Sequence, residues 1–196
     1  MTTIANPDPA TRIARLSAAT DALHQHLHTL VAAAAPFDDR DRYGRFVAVQ
    51  YQFQSEIEPL YRRASLQALI PDLAVRSRRG AVAADLADLG LPLPEVPMTD
   101  AAAINDQESL GWLFVSEGST LGAAILLKRA QALGLSENFG ARYLAPAPQG
   151  RARWWKQFVD VLDGLDLTPV QDVQVERGAE AAFRRFAERI EQRFGL

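Results

Sequence analysis

Cysteine is absent from this 196-residue chain, and its absence excludes several kinds of site at once. Without a thiol the chain forms no disulfide, holds no thiolate-bound metal or iron–sulfur cluster, and has no cysteine nucleophile. A metal ion would therefore need histidine, carboxylate or tyrosine ligands. Only three histidines are present, so the candidates for nitrogen ligation are few.

A large excess of charge is also lacking, since the formal net charge is −3 and the pI is near 5.6. This balance argues against a surface for nucleic acid or anionic membranes, because phosphate binding needs concentrated positive charge. Lysine is scarce as well: Lys128 and Lys156 are the only lysines among 21 basic residues. An anionic ligand would need cations placed locally, and a lysine in its pocket would be a conspicuous choice.

Long apolar runs are missing too. No run approaches the roughly 20 residues of a membrane-spanning helix, and the N-terminal MTTIANPDPATRIARL has no apolar core of a signal peptide. We therefore expect a cytoplasmic protein that contacts no membrane. The length and the 48% hydrophobic content are typical of one globular domain. A single domain over 1–196 is expected, with 1–10 as a flexible N-terminal segment.

Helical periodicity runs through most of the chain, and no segment alternates like a credible strand. Pro36 is expected to end the first helix, Asp38 or Asp39 to cap the second, and Thr99 or Asp100 to cap the fourth. The predicted helices cover about 11–35, 38–63, 78–89, 101–133, 151–165 and 169–194. Their main buried stripes are Ile13, Leu16, Leu23, Leu27, Leu30 and Val31; Phe46, Val49, Phe53, Ile57 and Leu60; and Ala179, Phe183, Phe186 and Ile190. The fold class is therefore all-α, a single-domain bundle of six or more helices.

All three histidines fall in one short stretch of the first helix, where successive residues are about 100° apart. His24 lies at the margin of the apolar stripe, His28 is turned further towards solvent, and His26 points to the polar side. His24 is thus the candidate for contact with a buried ligand, and a lone imidazole beside an apolar pocket suits axial ligation of haem iron. Two other interpretations stay open: a hydrogen bond from His24 to Thr20, or a zinc site with His28, although no HExxH pattern is present.

The segment GWLFVSEGSTLGAAILLKRA, at 111–130, is apolar almost all round and yet contains Gly118 and Gly122. Each glycine costs a helix interior about 1 kcal/mol relative to alanine. Such a cost indicates the close approach of a backbone or of a flat ligand. With Gly111 on nearly the same face, the glycines form a smooth groove beside Phe114 that suits a porphyrin. Tight helix–helix packing through GxxxG is the other interpretation.

Five segments, in the correct order, resemble bacterial haem oxygenases, the biliverdin-producing enzymes of iron acquisition and of bacteriophytochrome systems. The segments are LHQHLHTLV, RFVAVQYQFQSEIEPLY, LGWLFVSEGSTLGAAILLKRAQAL, ENFGARYLA and AAFRRF. The resemblance implies a haem oxygenase-like bundle in which haem is both substrate and cofactor. It also implies cleavage of haem to biliverdin, with release of CO and ferrous iron, in a pocket walled by the histidine and glycine helices.

The same resemblance assigns roles to individual residues. It makes His24 the metal ligand, and it places Gly118, Gly122 and Ser119 on the catalytic wall over the opposite haem face. Ser119 stands where animal relatives carry a water-organising aspartate. Lys128 matches a position that pairs with a haem propionate. Further haem-binding candidates are Phe114, Ser116, Arg177 and Arg185, the two arginines being weaker because a solvated arginine on a terminal helix is the simpler explanation of each.

One departure and several partners complete the prediction. Some bacterial relatives have a lysine beyond the proximal histidine where this chain has 32–34 as alanines, so the haem rotation and the biliverdin isomer are left open. No GxGxxG follows a strand and no flavin motif is present, so electrons must come from an external reductase or ferredoxin. A bacteriophytochrome is a candidate recipient of biliverdin. The alternatives are a non-catalytic haem carrier or sensor, and a helical interaction module that binds no haem.

Overall fold

The computed structural model describes residues 11–70, 72–96 and 103–196, and this part of the chain contains helices but no strand. The all-α prediction is confirmed. The predicted caps Thr99 and Asp100 and the predicted flexible segment 1–10 lie outside the described residues. Two short 3-10 turns, Leu73–Arg76 and Arg142–Leu144, accompany seven α-helices: α1 (Arg12–Ala34), α2 (Arg40–Arg62), α3 (Ala64–Leu69), α4 (Arg79–Asp88), α5 (Asp106–Ala132), α6 (Arg151–Gly164) and α7 (Pro169–Phe194).

Side-chain caps fix where the long helices begin. The Asp39 carboxylate accepts the backbone N–H of Arg42 at 2.7 Å, as predicted for the second helix. The fourth predicted helix begins later than expected, because Asn105 caps α5 through the N–H of Glu108 and 103–105 are not helical. Thr168 and Gln171 form a reciprocal capping box at the start of α7.

The sequence did not predict α3 and the 3-10 turn that follows it. The extended backbone of Arg63 separates α3 from α2, and these two short segments bury Leu66, Leu73 and Arg76. Segments of four to six residues contain too few turns for an apolar period to be recognised.

The centre of the bundle is α5, which packs most extensively against α7. A Cβ on Gly111 would overlap the backbone of Val175 and Gly178, and a Cβ on Gly178 would overlap the carbonyl oxygen of Glu108. These two glycines therefore let the backbones of α5 and α7 touch. By length and composition α5 could cross a membrane, but half of its most apolar window is buried within the protein.

The predicted stripes of α2 and α7 are buried as expected, with every member at most 9% exposed. The stripe of α1 behaves differently along its length. Ile13 and Leu16 are buried, whereas Leu23, Leu27, Leu30 and Val31 are only partly buried against the core. The second half of α1 is not fully packed because it faces a cavity.

Candidate active site

A cavity of about 730 Å³ lies between the second half of α1 and the glycine-containing stretch of α5. Aromatic side chains from α2, α6 and α7 contribute to its walls, and most of its surface is apolar. This volume is within the usual range of small-molecule sites, about 300–1,000 Å³. The α1 wall includes Ser17, Thr20, Asp21, His24, Leu27, His28 and Val31; the α5 wall includes Phe114, Val115, Ser116, Gly118, Ser119, Gly122, Ile125, Leu126 and Arg129.

His24 reaches this cavity, and it is not held by Thr20. The Thr20 hydroxyl instead donates to the carbonyl oxygen of Leu16 at 2.7 Å. The His24 ring packs edge-on against Phe183, with 5.8 Å between centroids. Burial lowers the pKa of His24, and the neighbouring His28 lowers it further. The neutral imidazole, which is the form that binds metals, is therefore favoured.

His28 also lines the cavity, which its expected orientation towards solvent did not indicate. Its Nε2 lies 3.2 Å from Nε2 of His24. His26 points elsewhere and approaches Glu191 at 3.9 Å. Among the described residues, no three His, Cys, Asp or Glu side chains are grouped to hold a metal ion, so the zinc interpretation finds no further ligand there.

Gly118 and Gly122 line the opposite wall and are not packing glycines. A Cβ on Gly122 would meet nothing within 4 Å, and one on Gly118 would meet only the ring of Trp155, at 3.5 Å. Gly111, expected on nearly the same face, instead makes the contact with α7. The GxxxG pattern of α5 therefore presents bare backbone to the cavity, and the helix-packing interpretation applies to Gly111 alone.

Aromatic rings border the cavity on the remaining sides. Phe114 and Trp155 lie 5.8 Å apart between centroids, and Trp155 stacks on Phe158 at the same distance. Phe53 and Phe186 meet edge-to-face at 5.3 Å. These rings pack on core side chains, which hold the apolar walls in place.

The polar groups of the α5 wall are Ser116 and Ser119. Ser119 is exposed at the cavity, and its hydroxyl donates to the carbonyl oxygen of Ser116 at 2.6 Å. Ser116 is 2% exposed, and its Oγ lies 2.8 Å from the hydroxyl of Tyr61 and 3.2 Å from Nε2 of Gln54. Sequence reasoning missed Tyr61, Gln54 and the adjacent Glu117; the one available signal was an acidic residue inside an apolar helix.

Arg129 is the lysine or arginine that lines the cavity in the described part of the chain. Its guanidinium lies over the ring of Phe37, 5.6 Å from the centroid, and both residues line the cavity. Lys128 is exposed and is not a lining residue. Neither Arg177 nor Arg185 lines the cavity: Arg177 is exposed, and Arg185 pairs with Glu56 and Glu188.

Comparison with known proteins gives one consistent result. A family model described as Heme oxygenase matches residues 11–192. The chain is 50% identical over 184 residues to Heme oxygenase PigA of Pseudomonas aeruginosa, covering 93% of each protein. It is also similar to a crystal structure of the NO- and CO-bound heme oxygenase from Neisseria meningitidis, with a TM-score of 0.88, 37% identity and coverage of 95% of this chain and 94% of that one.

Proposed function

Since this chain belongs to the haem oxygenase family and is an enzyme that degrades haem to biliverdin, CO and ferrous iron, we propose that the cavity between α1 and α5 is its active site. The observation that carries the proposal is the pair Gly118 and Gly122, which present bare backbone to the cavity and do not contact the backbone of another helix. A flat macrocycle can approach such a wall closely. Its burial against the aromatic sides would supply most of the affinity.

We propose His24 as the axial ligand of the haem iron. It lines the cavity, and its lowered pKa favours the neutral ring that ligates iron. Haem supplies the redox chemistry when it is bound, and the protein orients it and excludes competing reactions. His28 shares the cavity and is the competing candidate, which mutation of each histidine separates.

We propose that the α5 wall contributes both glycines without side chains and serine hydroxyls to the active site. Gly118 and Gly122 put no side-chain acid and no bulk over the haem face, so reactants can lie close to the macrocycle. The hydroxyls of Ser119 and Ser116 are the polar groups available there. Phe114 and Trp155 would restrict sideways movement of the macrocycle.

Arg129 is the proposed partner of a haem propionate. It lines the cavity, and among the described residues no carboxylate forms an ion pair with it. An uncompensated cation beside an apolar pocket suits an amphipathic dianion such as haem. Lys128, Arg177 and Arg185, proposed from the sequence, have less support because none of them lines the cavity.

The partners and the compartment are also proposals. The printed sequence has no flavin or dinucleotide motif, so we propose an external reductase or ferredoxin as electron donor. A cytoplasmic location would provide such donors. Biliverdin could pass to a bacteriophytochrome, or the iron could be the useful product. A deletion strain distinguishes the two uses. Loss of growth on haem iron would indicate that iron is the useful product, and loss of phytochrome photoconversion would indicate that biliverdin is.

The test of the active site is a hemin titration of the purified protein, followed by reductant and oxygen. A Soret band that forms and then decays as a biliverdin band rises supports the proposal. A stable Soret band under reductant would identify a haem carrier or sensor instead. No perturbation of the hemin spectrum would contradict haem binding in this cavity.

A further inference from the structure

A line of buried hydroxyl and carboxyl groups runs from the cavity wall into the core. Ser116 Oγ and the Tyr61 hydroxyl are 2.8 Å apart, and the Tyr61 hydroxyl is 2.8 Å from Oε1 of Glu117. All three side chains are at most 2% exposed, and of the three Ser116 lines the cavity. Three consecutive groups that can each hold or release a proton are therefore joined by short hydrogen bonds.

The amide of Gln54 fixes the cavity end of this line. Gln54 Nε2 donates to Ser116 Oγ at 3.2 Å, while Gln54 Oε1 is buried with no hydrogen-bond partner among the residues that the structure describes. A serine hydroxyl has one proton and two acceptor positions. When Tyr61 also donates to Ser116, both acceptor positions are filled, and the Ser116 proton has only the cavity to point into.

The protonation of Glu117 sets the direction of the whole line. When Glu117 is a carboxylate, Tyr61 donates to it and Ser116 donates to Tyr61, so no proton faces the cavity. When Glu117 is a neutral acid, it donates to Tyr61, Tyr61 donates to Ser116, and the Ser116 proton faces the cavity. One proton on Glu117 therefore becomes one available proton at the wall.

We propose that Ser116 donates a proton to the reacting oxygen chemistry in the cavity, with Tyr61 and Glu117 as the positioning residues that supply and orient that proton. This inference rests on the proposed active site. In the step, the Ser116 O–H bond breaks as its proton passes to a basic oxygen atom in the cavity. The Tyr61 proton then forms the new Ser116 O–H bond, and the Glu117 proton forms the new Tyr61 O–H bond. Glu117 is left as a carboxylate and regains its proton from solvent by the reverse shift, through Ser116 and Tyr61.

The charges around Glu117 suit a group that must hold a proton and then release it. Burial raises the pKa of Glu117, which favours the neutral acid. Arg76, on the 3-10 turn, donates to Oε2 at 3.0 Å, and Arg78 lies close enough to lower the pKa as well. These cations stabilise the carboxylate that remains after transfer. Asp72 binds the other side of the Arg76 guanidinium, and the Tyr61 hydroxyl also faces Glu117.

The experiment compares Glu117→Gln, Tyr61→Phe and Ser116→Ala with the parent protein, since each change removes the proton and keeps most of the volume. We expect hemin affinity within about threefold of the parent for each variant. We expect the rate of biliverdin formation to fall by about 10²-fold, the usual loss when a positioned proton donor is removed. The parent rate should decline as pH rises through the pKa of Glu117, and Glu117→Gln should lack this decline.

Tyr143→Phe is the matched control, because it removes another buried tyrosine hydroxyl, one that forms no described hydrogen bond with Ser116, Tyr61 or Glu117 and does not line the cavity. It should keep the parent rate. The proposed proton relay from Glu117 through Tyr61 to Ser116 would be overturned if all three variants formed biliverdin at rates within about threefold of the parent. It would also be overturned if Tyr143→Phe were as impaired as they are.

Infrared spectra of the haem-free protein test the relay separately from the proposed function. The parent protein should show a buried carboxylic-acid band that vanishes in Glu117→Gln and shifts in Tyr61→Phe. Its absence would overturn the relay. A parent protein that shows the band but forms no biliverdin would instead contradict the proposed active site.

Discussion

Arg76 donates to Oε2 of Glu117 at 3.0 Å, and the two side chains are 0% and 2% exposed. Both groups lie out of contact with water, and Arg76 stabilises the carboxylate form of Glu117. The Arg76 guanidinium also lies 4.0 Å from the ring centroid of Trp154, which ties the start of α6 to this buried pair. The pair therefore joins the cavity wall on α5 to the segment between α3 and α4.

Where the pH is high enough to ionise Glu117, replacing Arg76 by methionine should destabilise the protein by about 3–5 kcal/mol, the usual cost of leaving a buried charge unpaired. The folded-state pKa of Glu117 is already raised, so its favourable contribution is present at low pH and is lost as pH rises through that pKa. Without Arg76 this pKa rises further. Urea unfolding at about pH 5 and about pH 8 should therefore show a larger loss at the higher pH.

The double variant Arg76→Met with Glu117→Gln provides the control for that measurement. It removes both charges, so it should be more stable than Arg76→Met at the higher pH and should lose most of the pH dependence. Equal losses for Arg76→Met at both pH values would show that Glu117 does not respond to its partner.

The glycines of α5 should respond to substitution in opposite ways. Gly122→Ala should raise the free energy of unfolding of the haem-free protein by about 1 kcal/mol, because a Cβ there meets nothing and alanine is the better helix former. Gly111→Ala should lower it by about 1–3 kcal/mol or more, because the Cβ would overlap the backbone of α7. Urea unfolding of both haem-free variants measures the difference.

Haem binding distinguishes a role of the α5 glycines in helix packing from a role in the approach of the ligand. Gly118→Leu should fold and yet bind hemin weakly and turn it over slowly, since its side chain would occupy the cavity. If Gly118→Leu loses stability as Gly111→Ala does while binding hemin normally, the glycines serve packing after all.

Much of the helical framework was predictable because its signals are local. The Asp39 cap and the α2 stripe follow from neighbouring residues, and the structure confirms both. The beginning of α5 was misplaced because its cap, Asn105, follows several residues that also suit a helix. The turn at Leu73–Arg76 carries Arg76 into the core, but nothing in its four residues announces a long-range ion pair.

The residues of the cavity walls were only partly predictable from the sequence. His24, Gly118 and Gly122 are brought to one cavity, as the resemblance implied. The rotation of α5 could not be predicted, because a helix that is apolar on nearly every side has no polar face to fix it. Successive side chains on a helix point about 100° apart around its axis. This difference is why Arg129 lines the cavity and its neighbour Lys128 does not.

Arg129→Ala should weaken hemin binding by about fivefold, the effect of losing an ion pair of an exposed arginine worth about 1 kcal/mol. Haem dimethyl ester, which has no propionate charge, should bind the parent and Arg129→Ala equally well. Fluorescence titrations with both ligands measure the difference, and Lys128→Ala is the neighbouring control on the same helix. A larger loss of hemin affinity for Lys128→Ala than for Arg129→Ala would indicate that the propionate pairs with Lys128, as the resemblance implied.

Replacement of each cavity histidine by alanine should affect the spectrum of bound hemin differently. His24→Ala should lose the spectrum of histidine-ligated haem and its turnover, because the axial nitrogen is gone while the aromatic walls remain. His28→Ala should keep that spectrum, and its removal should raise the pKa of His24, since His28 is one of the causes that lower it. Added imidazole should restore ligation in His24→Ala by filling the space of the missing ring. If imidazole rescues His28→Ala and leaves His24→Ala unchanged, the iron is bound one helical turn further along α1 than proposed.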